Sequence, residues 1–131
     1  ASVTDLLAAF HNEAIPHEQR PHEFFEANAR ARIDAGMAYL WRVDDTDVAL
    51  ASLARPSQTG IAVNAVYTPP EHRRHGYAAA LVAHVSAAGL ARGKRFCVLY
   101  TDLANPTSNG IYQRIGYRRI GDARCYRLEA S

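Results

Sequence analysis

The feature of this sequence that most constrains its fold is an extended run stopped by two prolines and followed at once by an alanine-rich helix. The run AVNAVYTPP ends at Pro69 and Pro70, and the spacing of apolar residues then predicts a helix from Gly76 to about Arg92. A short apolar strand, RFCVLYTD, comes next. Strand, helix and strand in this order predict a βαβ-like unit at the centre of the chain, within a sheet covered by helices.

Helices and a hairpin precede this unit. Thr4 is the predicted N-cap of a first helix, and PHEQRPHEFFEANARARIDAG is typical of a second helix that Gly36 ends. The predicted apolar side of this second helix consists of Phe24, Phe25 and Ile33. The runs MAYLWRV and DVALASLA, with residues 44–46 between them, predict an antiparallel hairpin. A third strand is expected from about Ile61 to Tyr67.

A further helix and a strand pair follow the unit. In NPTSNGIYQRIGY, Asn105 is a good N-cap and Gly116 a good C-terminal stop, and YRRIG and ARCYRLEA are expected to pair as closing strands. The predicted fold class is therefore α+β with a mixed sheet.

Composition predicts a single cytoplasmic domain. With 131 residues, 48% of them hydrophobic and 21% charged, residues 1–131 have the size of one globular domain. No apolar run approaches the ~20 residues that span a bilayer, so no membrane association is expected. The net charge of only +2 argues against nucleic acid as a partner. Cys97 and Cys125 lack the paired spacing of a zinc site, so we expect no metal, and because each lies in an apolar or strand-like segment, buried reduced thiols are favoured over a disulfide.

The turn at residues 71–76, EHRRHG, has the chemistry of an anion site. A turn from a strand into a helix leaves backbone N–H groups unpaired, with the positive end of the helix dipole behind them. Gly76 lets the chain pass close to a ligand, and Arg73 and Arg74 add charge that a pyrophosphate would neutralise. A solvated basic turn before an ordinary helix fits the same residues. The glycine patterns of a P-loop and of a dinucleotide fingerprint are absent from the sequence.

A second pair of candidate functional residues lies on the later helix. Asn105 and Tyr112 are seven residues apart, about two helical turns, so their side chains fall on nearly the same face. That face presents an amide and a phenol. The simpler alternative is that Asn105 only caps the helix and Tyr112 packs beside Ile111 and Ile115.

Together these segments resemble the GNAT superfamily of acetyl-CoA-dependent N-acetyltransferases. VYTPPEHRRHGYAAALV is similar to that family's strand, turn and helix with the R/Q-x-x-G-x-G/A signature, here Arg73, Gly76 and Ala78. NPTSNGIYQRIGY is similar to the family's N-x-x-A-x-x-L-Y-x-x-x-G-F segment, with Asn105, Tyr112, Gly116 and Tyr117 in register. The resemblance covers roughly residues 61–128. It implies a GNAT-like mixed, mostly antiparallel sheet flanked by helices, with the cofactor site at the central strand, turn and helix.

The resemblance also implies acetyl-CoA as cosubstrate and a role for each segment. The backbone of the central strand would pair with the pantetheine arm, the turn would hold the pyrophosphate, and Asn105 would contact the cofactor arm. The implied cofactor-binding residues are Ala65, Val66, Tyr67, Arg73, Arg74, His75, Gly76, Tyr77, Ala78, Ala79 and Asn105. Tyr112 is the implied catalytic residue, because its hydroxyl would hydrogen-bond the thiolate that leaves after an amine attacks the acetyl carbonyl.

No residue that could deprotonate the amine stands in the expected place. Many family members carry a Glu in the central strand, and here that position is Ala62. Asn64, on the same strand face, is no useful base. Water held by backbone carbonyls, Glu71 or a histidine could take the proton, and an acceptor amine of low pKa would need less help. The histidines near the first two helices are His11, His17 and His22, for which exposed helix residues are the simpler interpretation.

The start of the chain departs from the family pattern. Members normally open with a β-strand before the first helix, whereas ASVTDLL shows helix signals at once, so the first strand is missing from the expected sheet. Either the chain has been processed, or it is the C-terminal part of a longer protein whose N-terminal segment completed the sheet. That segment and a second copy in a homodimer are the protein partners we consider.

Three functions are consistent with the sequence. The leading one is an enzyme that transfers acetyl from acetyl-CoA to a primary amine of a small molecule or peptide, by direct attack in a ternary complex. The alternative is a degenerate acyl-CoA-binding regulatory domain without catalysis, which the missing carboxylate at Ala62 favours. A nucleic-acid module would use HRRH and the arginines near the C-terminus, but no base-stacking motif accompanies them.

Overall fold

The computed structural model describes residues 2–100, 112–120 and 125–129. In chain order the elements are α1 (Ser2–Ala14), α2 (His22–Asp34), β1 (Ala38–Val43), β2 (Thr46–Ala54), β3 (Gly60–Tyr67), a 3₁₀ helix (Pro70–His72), α3 (Tyr77–Ala91), β4 (Phe96–Tyr100), β5 (Arg118–Ile120) and β6 (Cys125–Glu129). Residues 112–115 are also helical. Asn105, with the start of its predicted helix, lies outside the described residues. Among those residues, none of the helices is both long enough and apolar enough to cross a membrane.

The strands form a mixed sheet in the order β1-β2-β3-β4-β6-β5. The pairs β1–β2, β4–β6 and β5–β6 are antiparallel, whereas β3 and β4 are parallel. Because parallel neighbours need a crossover connection, the helix α3 between β3 and β4 accounts for this pair. The α+β fold class, with a mostly antiparallel mixed sheet and a strand–helix–strand unit at its centre, is confirmed.

The chain divides into two compact units, of which the first comprises Ala1–Ser52 and Ala65–Leu81. Its core is built on one face of α1, where Val3, Leu6 and Leu7 recur at helical spacing and are buried. Phe25 of α2 and Leu50 of β2 belong to the same cluster. The burial of these apolar side chains is what holds the two helices to the strands of this unit.

The second unit comprises Leu53–Asn64 and Val82–Ser131. Gly89 explains how α3 packs there, because a Cβ at this position would lie 3.0 Å from Ile61 and 3.1 Å from both Cys97 and Leu53. A larger residue at this position would require one of these side chains to shift, so glycine favours the close packing of the helix on the strands. Cys97 is a buried free thiol, as predicted. Burial raises its pKa, which keeps it protonated.

Most element boundaries predicted from turn residues are confirmed. Gly36 and Gly93 follow the ends of α2 and α3 with left-handed φ values of 68° and 85°. The hairpin turn consists of Asp44 and Asp45, with φ values of 48° and 64°, the handedness of the tight turns that suit a twisted hairpin. Thr46, placed in the turn by the sequence prediction, is the first residue of β2.

Two predictions about helix starts are wrong. Thr4 is not an N-cap, because α1 begins at Ser2 and Thr4 is buried within its first turn. The second helix begins at His22 rather than Pro16, since Pro21 has extended backbone and occupies the N-cap position. The predicted apolar side of α2 is also narrower than expected. Phe25 is buried, whereas Phe24 is 39% and Ile33 54% exposed.

Candidate functional site

The turn before α3 has a backbone suited to binding an anion. Arg73 is extended, with φ −74° and ψ 161°, whereas Arg74 and Gly76 are left-handed, with φ 68° and 79°. These changes of handedness curl the chain just before α3, whose first N–H groups have no partner within the helix. α3 begins at Tyr77 and has no acidic side chain in its first turn. The positive end of its dipole therefore adds to the attraction for an anion.

The space above this turn is open. A Cβ added at Gly76 would meet no described atom within 4 Å. Glycine is therefore needed here for its φ, and a ligand can approach the backbone closely. The next small residues, Ala78 and Ala79, are half-buried in the first turn of α3.

The guanidinium of Arg73 is already occupied by protein groups. Its Nε donates a hydrogen bond to the carbonyl oxygen of Thr68 at 2.8 Å. Its Nη2 donates to both carboxylate oxygens of Glu13, at 2.7 and 2.8 Å. The hydrogen bond from Arg73 holds the pKa of Glu13 below its usual value, so the carboxylate is ionised at neutral pH. The charge of Arg73 is therefore already paired, whereas the sequence suggested a charge that a pyrophosphate would neutralise.

The neighbouring side chains of the turn have other environments. Arg74 is exposed and, within the described part of the chain, makes no hydrogen bond or ion pair. The ring of His75 stacks on that of Tyr77, with centroids 5.2 Å apart and planes 10° from parallel. The His75 Nδ1 lies 3.2 Å from the carbonyl oxygen of His72. The charge that remains for a ligand at this turn is that of Arg74.

The end of β3 is not regular strand. Ala65 has a left-handed φ of 52°, a distortion of the kind found at β-bulges. Ala65 and Tyr67 are buried and Val66 is half-buried. The Tyr67 hydroxyl donates a hydrogen bond to Glu13 at 3.0 Å, and burial raises the pKa of this phenol. The strand backbone that is predicted to pair with a cofactor arm therefore changes direction at Ala65.

In the second unit, Tyr112 is a half-buried phenol. Burial raises its pKa, so it stays protonated and able to donate a hydrogen bond at neutral pH. Its ring contacts that of Tyr117 edge-on, with centroids 6.4 Å apart. Tyr117 is buried, and its hydroxyl lies 2.7 Å from that of Ser86 on α3. A fixed aromatic side chain therefore supports Tyr112.

Ala62 lines a small open pocket in the second unit. The side chain is only 4% exposed, and Ala62 pairs with Val98 across β3 and β4. The pocket has a volume of about 220 Å³ and is lined by Arg55, Ser57, Gly60, Ile61, Ala62, Phe96 and Val98. None of these described lining residues carries a carboxylate. No described lining residue of this pocket therefore replaces the carboxylate base that the sequence lacks at Ala62.

The predicted site residues are divided between the two compact units. Residues 65–67 and 73–79 belong to the first unit, whereas Tyr112 and Ala62 belong to the second. Sequence reasoning missed Glu13, and no local pattern could have revealed it, because its partners lie 54 and 60 residues away. His11 contacts protein groups: its Nε2 is 2.8 Å from the carbonyl oxygen of Glu18, and its ring lies edge-on to Phe25.

Solved structures show the same fold. An N-acetyltransferase from Staphylococcus aureus Mu50 has a TM-score of 0.84 at 18% identity, over 98% of this chain and 93% of its own. The structure of yncA from Salmonella typhimurium with its cofactor acetyl-CoA has a TM-score of 0.76 at 16% identity, over 98% and 86%. An aminoglycoside 6'-N-acetyltransferase complexed with coenzyme A has a TM-score of 0.74 at 14% identity, over 96% and 89%.

Sequence comparison identifies the family. No curated protein sequence matches the chain significantly. The model of the acetyltransferase (GNAT) family, however, matches residues 1–117, which is most of the chain and includes the turn, β3 and Tyr112. This protein therefore belongs to the acetyltransferase (GNAT) family.

Proposed function

We propose that this protein transfers an acetyl group from acetyl-CoA to a primary amine of a small molecule or peptide, by direct attack in a ternary complex. Membership of the acetyltransferase family makes it an acyltransferase. The donor is supported by the solved neighbours that carry acetyl-CoA or coenzyme A. The acceptor class is supported by the aminoglycoside, an amine, that names one of them.

The observation that carries the proposal is the backbone of the turn before α3. Two left-handed residues, Arg74 and Gly76, curl the chain at the N-terminus of a 15-residue helix, whose first N–H groups have no partner within the helix. A pyrophosphate fits this chemistry, because it presents several anionic oxygens to N–H donors and to the exposed charge of Arg74. We assign to this turn the residues Arg73, Arg74, His75, Gly76, Tyr77, Ala78 and Ala79, and to the cofactor arm Ala65, Val66, Tyr67 and Asn105.

Tyr112 is the proposed catalytic residue. The neutral amine nitrogen attacks the acetyl carbonyl carbon, the carbon–sulfur bond breaks, the sulfur leaves as a thiolate, and the proton that the nitrogen loses passes to water. A phenol with a raised pKa is a poor proton donor but a good hydrogen-bond donor to that thiolate. We therefore propose that Tyr112 stabilises the leaving thiolate by a hydrogen bond, and that solvent supplies the proton that the thiolate takes up.

The test is acetyl transfer by the wild type and by Tyr112→Phe across a panel of amines, measured by thiol release. We expect the variant to bind acetyl-CoA as the wild type does and to react about 10²-fold more slowly, the scale of a positioned acid or donor. Tyr39→Phe, which removes the hydroxyl of a half-buried tyrosine on β1, is the matched control and should keep the wild-type rate.

Each alternative gives a different result. Equal rates for Tyr112→Phe and wild type would remove Tyr112 from the mechanism. Binding of acetyl-CoA without transfer to any amine would favour an acyl-CoA-binding regulatory domain, for which the missing carboxylate at Ala62 is the specific observation. A wild type that does not bind acetyl-CoA would overturn the proposed function.

A further inference from the structure

We propose that Glu13 is a positioning residue for the turn before α3, which we call the coenzyme turn. Glu13 holds the Arg73 side chain in place, while the backbone of the turn binds the pyrophosphate. The inference rests on the proposed function, because it takes the turn before α3 as the pyrophosphate site. It assigns different tasks to two adjacent arginines.

Glu13 ties together both ends of the connection that leads into the turn. It lies next to the last residue of α1 (Ser2–Ala14), far in sequence from the turn. Its carboxylate accepts a hydrogen bond from the Tyr67 hydroxyl, at the end of β3, at 3.0 Å. It also accepts two from Arg73, at 2.7 and 2.8 Å. One carboxylate therefore fixes the residue before the connection and the residue after it.

Arg73 is held at further points. Its Nε donates to the carbonyl oxygen of Thr68 at 2.8 Å, which closes the connection on itself. Its guanidinium carbon lies 5.8 Å from the centroid of the Tyr67 ring. Arg74, where the backbone turns left-handed, follows directly. Fixing Arg73 therefore fixes the point at which the chain begins to curl toward the N-terminus of α3.

The charges favour this division of tasks. Glu13 and Arg73 are paired at 2.7 Å, so their charges largely cancel where the pyrophosphate would bind. Arg74 is exposed and makes no ion pair among the described residues. The positive charge available to an anion at this turn therefore comes from Arg74, the backbone N–H groups and the α3 dipole.

The proposal and its rival predict opposite signs for one substitution. If Arg73 bound the pyrophosphate directly, Glu13→Gln would release a cation beside the ligand and tighten binding. If Glu13 positions the turn, the same substitution loosens the backbone that leads into α3 and weakens binding. Because the pair is partly exposed, the expected change is modest, about three- to fivefold.

The experiment measures the dissociation constant of acetyl-CoA by calorimetry for the wild type and Glu13→Gln at several salt concentrations. Glu23→Gln is the matched control, because Glu23 is an exposed carboxylate on the first turn of α2. We expect acetyl-CoA to bind Glu13→Gln about three- to fivefold more weakly and Glu23→Gln with the wild-type dissociation constant. Among the variants, only Arg74→Gln should reduce the salt dependence of this dissociation constant.

A truncated donor separates positioning from general destabilisation. S-acetylpantetheine carries the thioester and the arm but no pyrophosphate, so Glu13→Gln should lower kcat/KM less with this donor than with acetyl-CoA. Tyr67→Phe, which removes one of the three hydrogen bonds and keeps the ion pair, should shift the acetyl-CoA constant in the same direction by less. The double variant Glu13→Gln with Arg73→Gln should bind acetyl-CoA no more weakly than the single variant that binds it less well, because both substitutions break the same Glu13–Arg73 contact.

Three results would overturn the inference. Binding by Glu13→Gln that equals or exceeds that of the wild type would assign Arg73 to the ligand. An equal loss with acetyl-CoA and with S-acetylpantetheine would make Glu13 a general stability residue. A wild type without any affinity for acetyl-CoA would remove the proposed function and this inference with it, whereas the first two results leave the proposed function standing.

Discussion

Gly76 and Gly93 form a matched pair for testing the coenzyme turn. Both are left-handed, with φ 79° and 85°, and at neither would a Cβ meet a described atom within 4 Å. Alanine at either position therefore costs conformational free energy and adds no clash. An L-residue in this region costs about 1–2 kcal/mol, and the stiffer unfolded chain returns about 0.4–1 kcal/mol. We expect each substitution to lower the free energy of unfolding by about 1 kcal/mol, measured by urea denaturation.

Only Gly76→Ala should also weaken coenzyme binding. Alanine favours negative φ values, and a partial shift in that direction turns the N–H groups that follow, at the N-terminus of α3, away from the ligand. Loss of one hydrogen bond to a charged ligand is worth about 1.5–3 kcal/mol, so we expect acetyl-CoA to bind Gly76→Ala about 10- to 100-fold more weakly. Gly93 follows the end of α3, where its geometry serves only the helix stop. Gly93→Ala should keep the wild-type dissociation constant in the same calorimetric assay.

Two results would refute this reasoning. If both variants lose stability and both keep the wild-type affinity, the left-handed backbone at Gly76 is not part of the anion site. If both lose affinity equally, the change follows from the stability of the fold, and the turn has no special role. Unfolding free energies that do not change at either position would show that the conformational cost assigned to φ is wrong.

Two further predictions concern the second unit. A Cβ at Gly60 would lie 2.3 Å from Cε1 of Phe96. The Phe96 ring is also in contact with the Arg127 guanidinium, which lies 3.8 Å from the ring centroid. Gly60→Ala should therefore lower the free energy of unfolding, measured in urea, by about 1–3 kcal/mol. Gly60→Ala and Phe96→Ala should cost less together than the sum of the two, and additive costs would contradict the predicted clash. Burial raises the pKa of Tyr117, so its contribution to stability is complete below about pH 10 and declines at higher pH, because the unfolded phenol ionises first. Tyr117→Phe should therefore lose less stability than the wild type between pH 9 and 11, and equal losses would argue against a buried phenol.

The sequence predicted best those features that depend on a few adjacent residues. Gly36 and Gly93 end their helices as expected because a left-handed residue favours glycine at a helix C-terminus. The hairpin at residues 44–45 and the strand β3 followed from alternation and from short polar connections. The strand–turn–helix unit was predictable for the same reason, since prolines, a glycine and helical periodicity mark it within about thirty residues.

Features that depend on contacts distant in sequence were not predictable. Thr4 looked like a cap because its hydroxyl suits one, but burial in the α1 core placed it inside the helix. Phe24 and Ile33 have apolar side chains on an amphipathic pattern, yet only the part of α2 that meets α1 is covered. The partnership of Glu13 with Tyr67 and Arg73 joins residues more than fifty positions apart. In sequence Arg73 and Arg74 looked equivalent, and only the fold separates a paired guanidinium from an exposed one.

On the proposed function, neither Tyr112 nor any described residue lining the pocket at Ala62 supplies a base for the amine, so proton transfer falls mainly to solvent and to the acceptor itself. Burial raises the pKa of Tyr112, which makes transfer of its proton to a thiolate more uphill, and the described lining of the Ala62 pocket contains no carboxylate. The acceptor must then react in its neutral form. For a lysine-like amine with pKa ≈ 10.4 that costs about 4.6 kcal/mol at pH 7, whereas for an α-amine with pKa ≈ 7.7–8.0 it costs only about 1 kcal/mol. The difference exceeds what one hydrogen bond from Tyr112 can supply, so a site with these residues favours acceptor amines of low pKa.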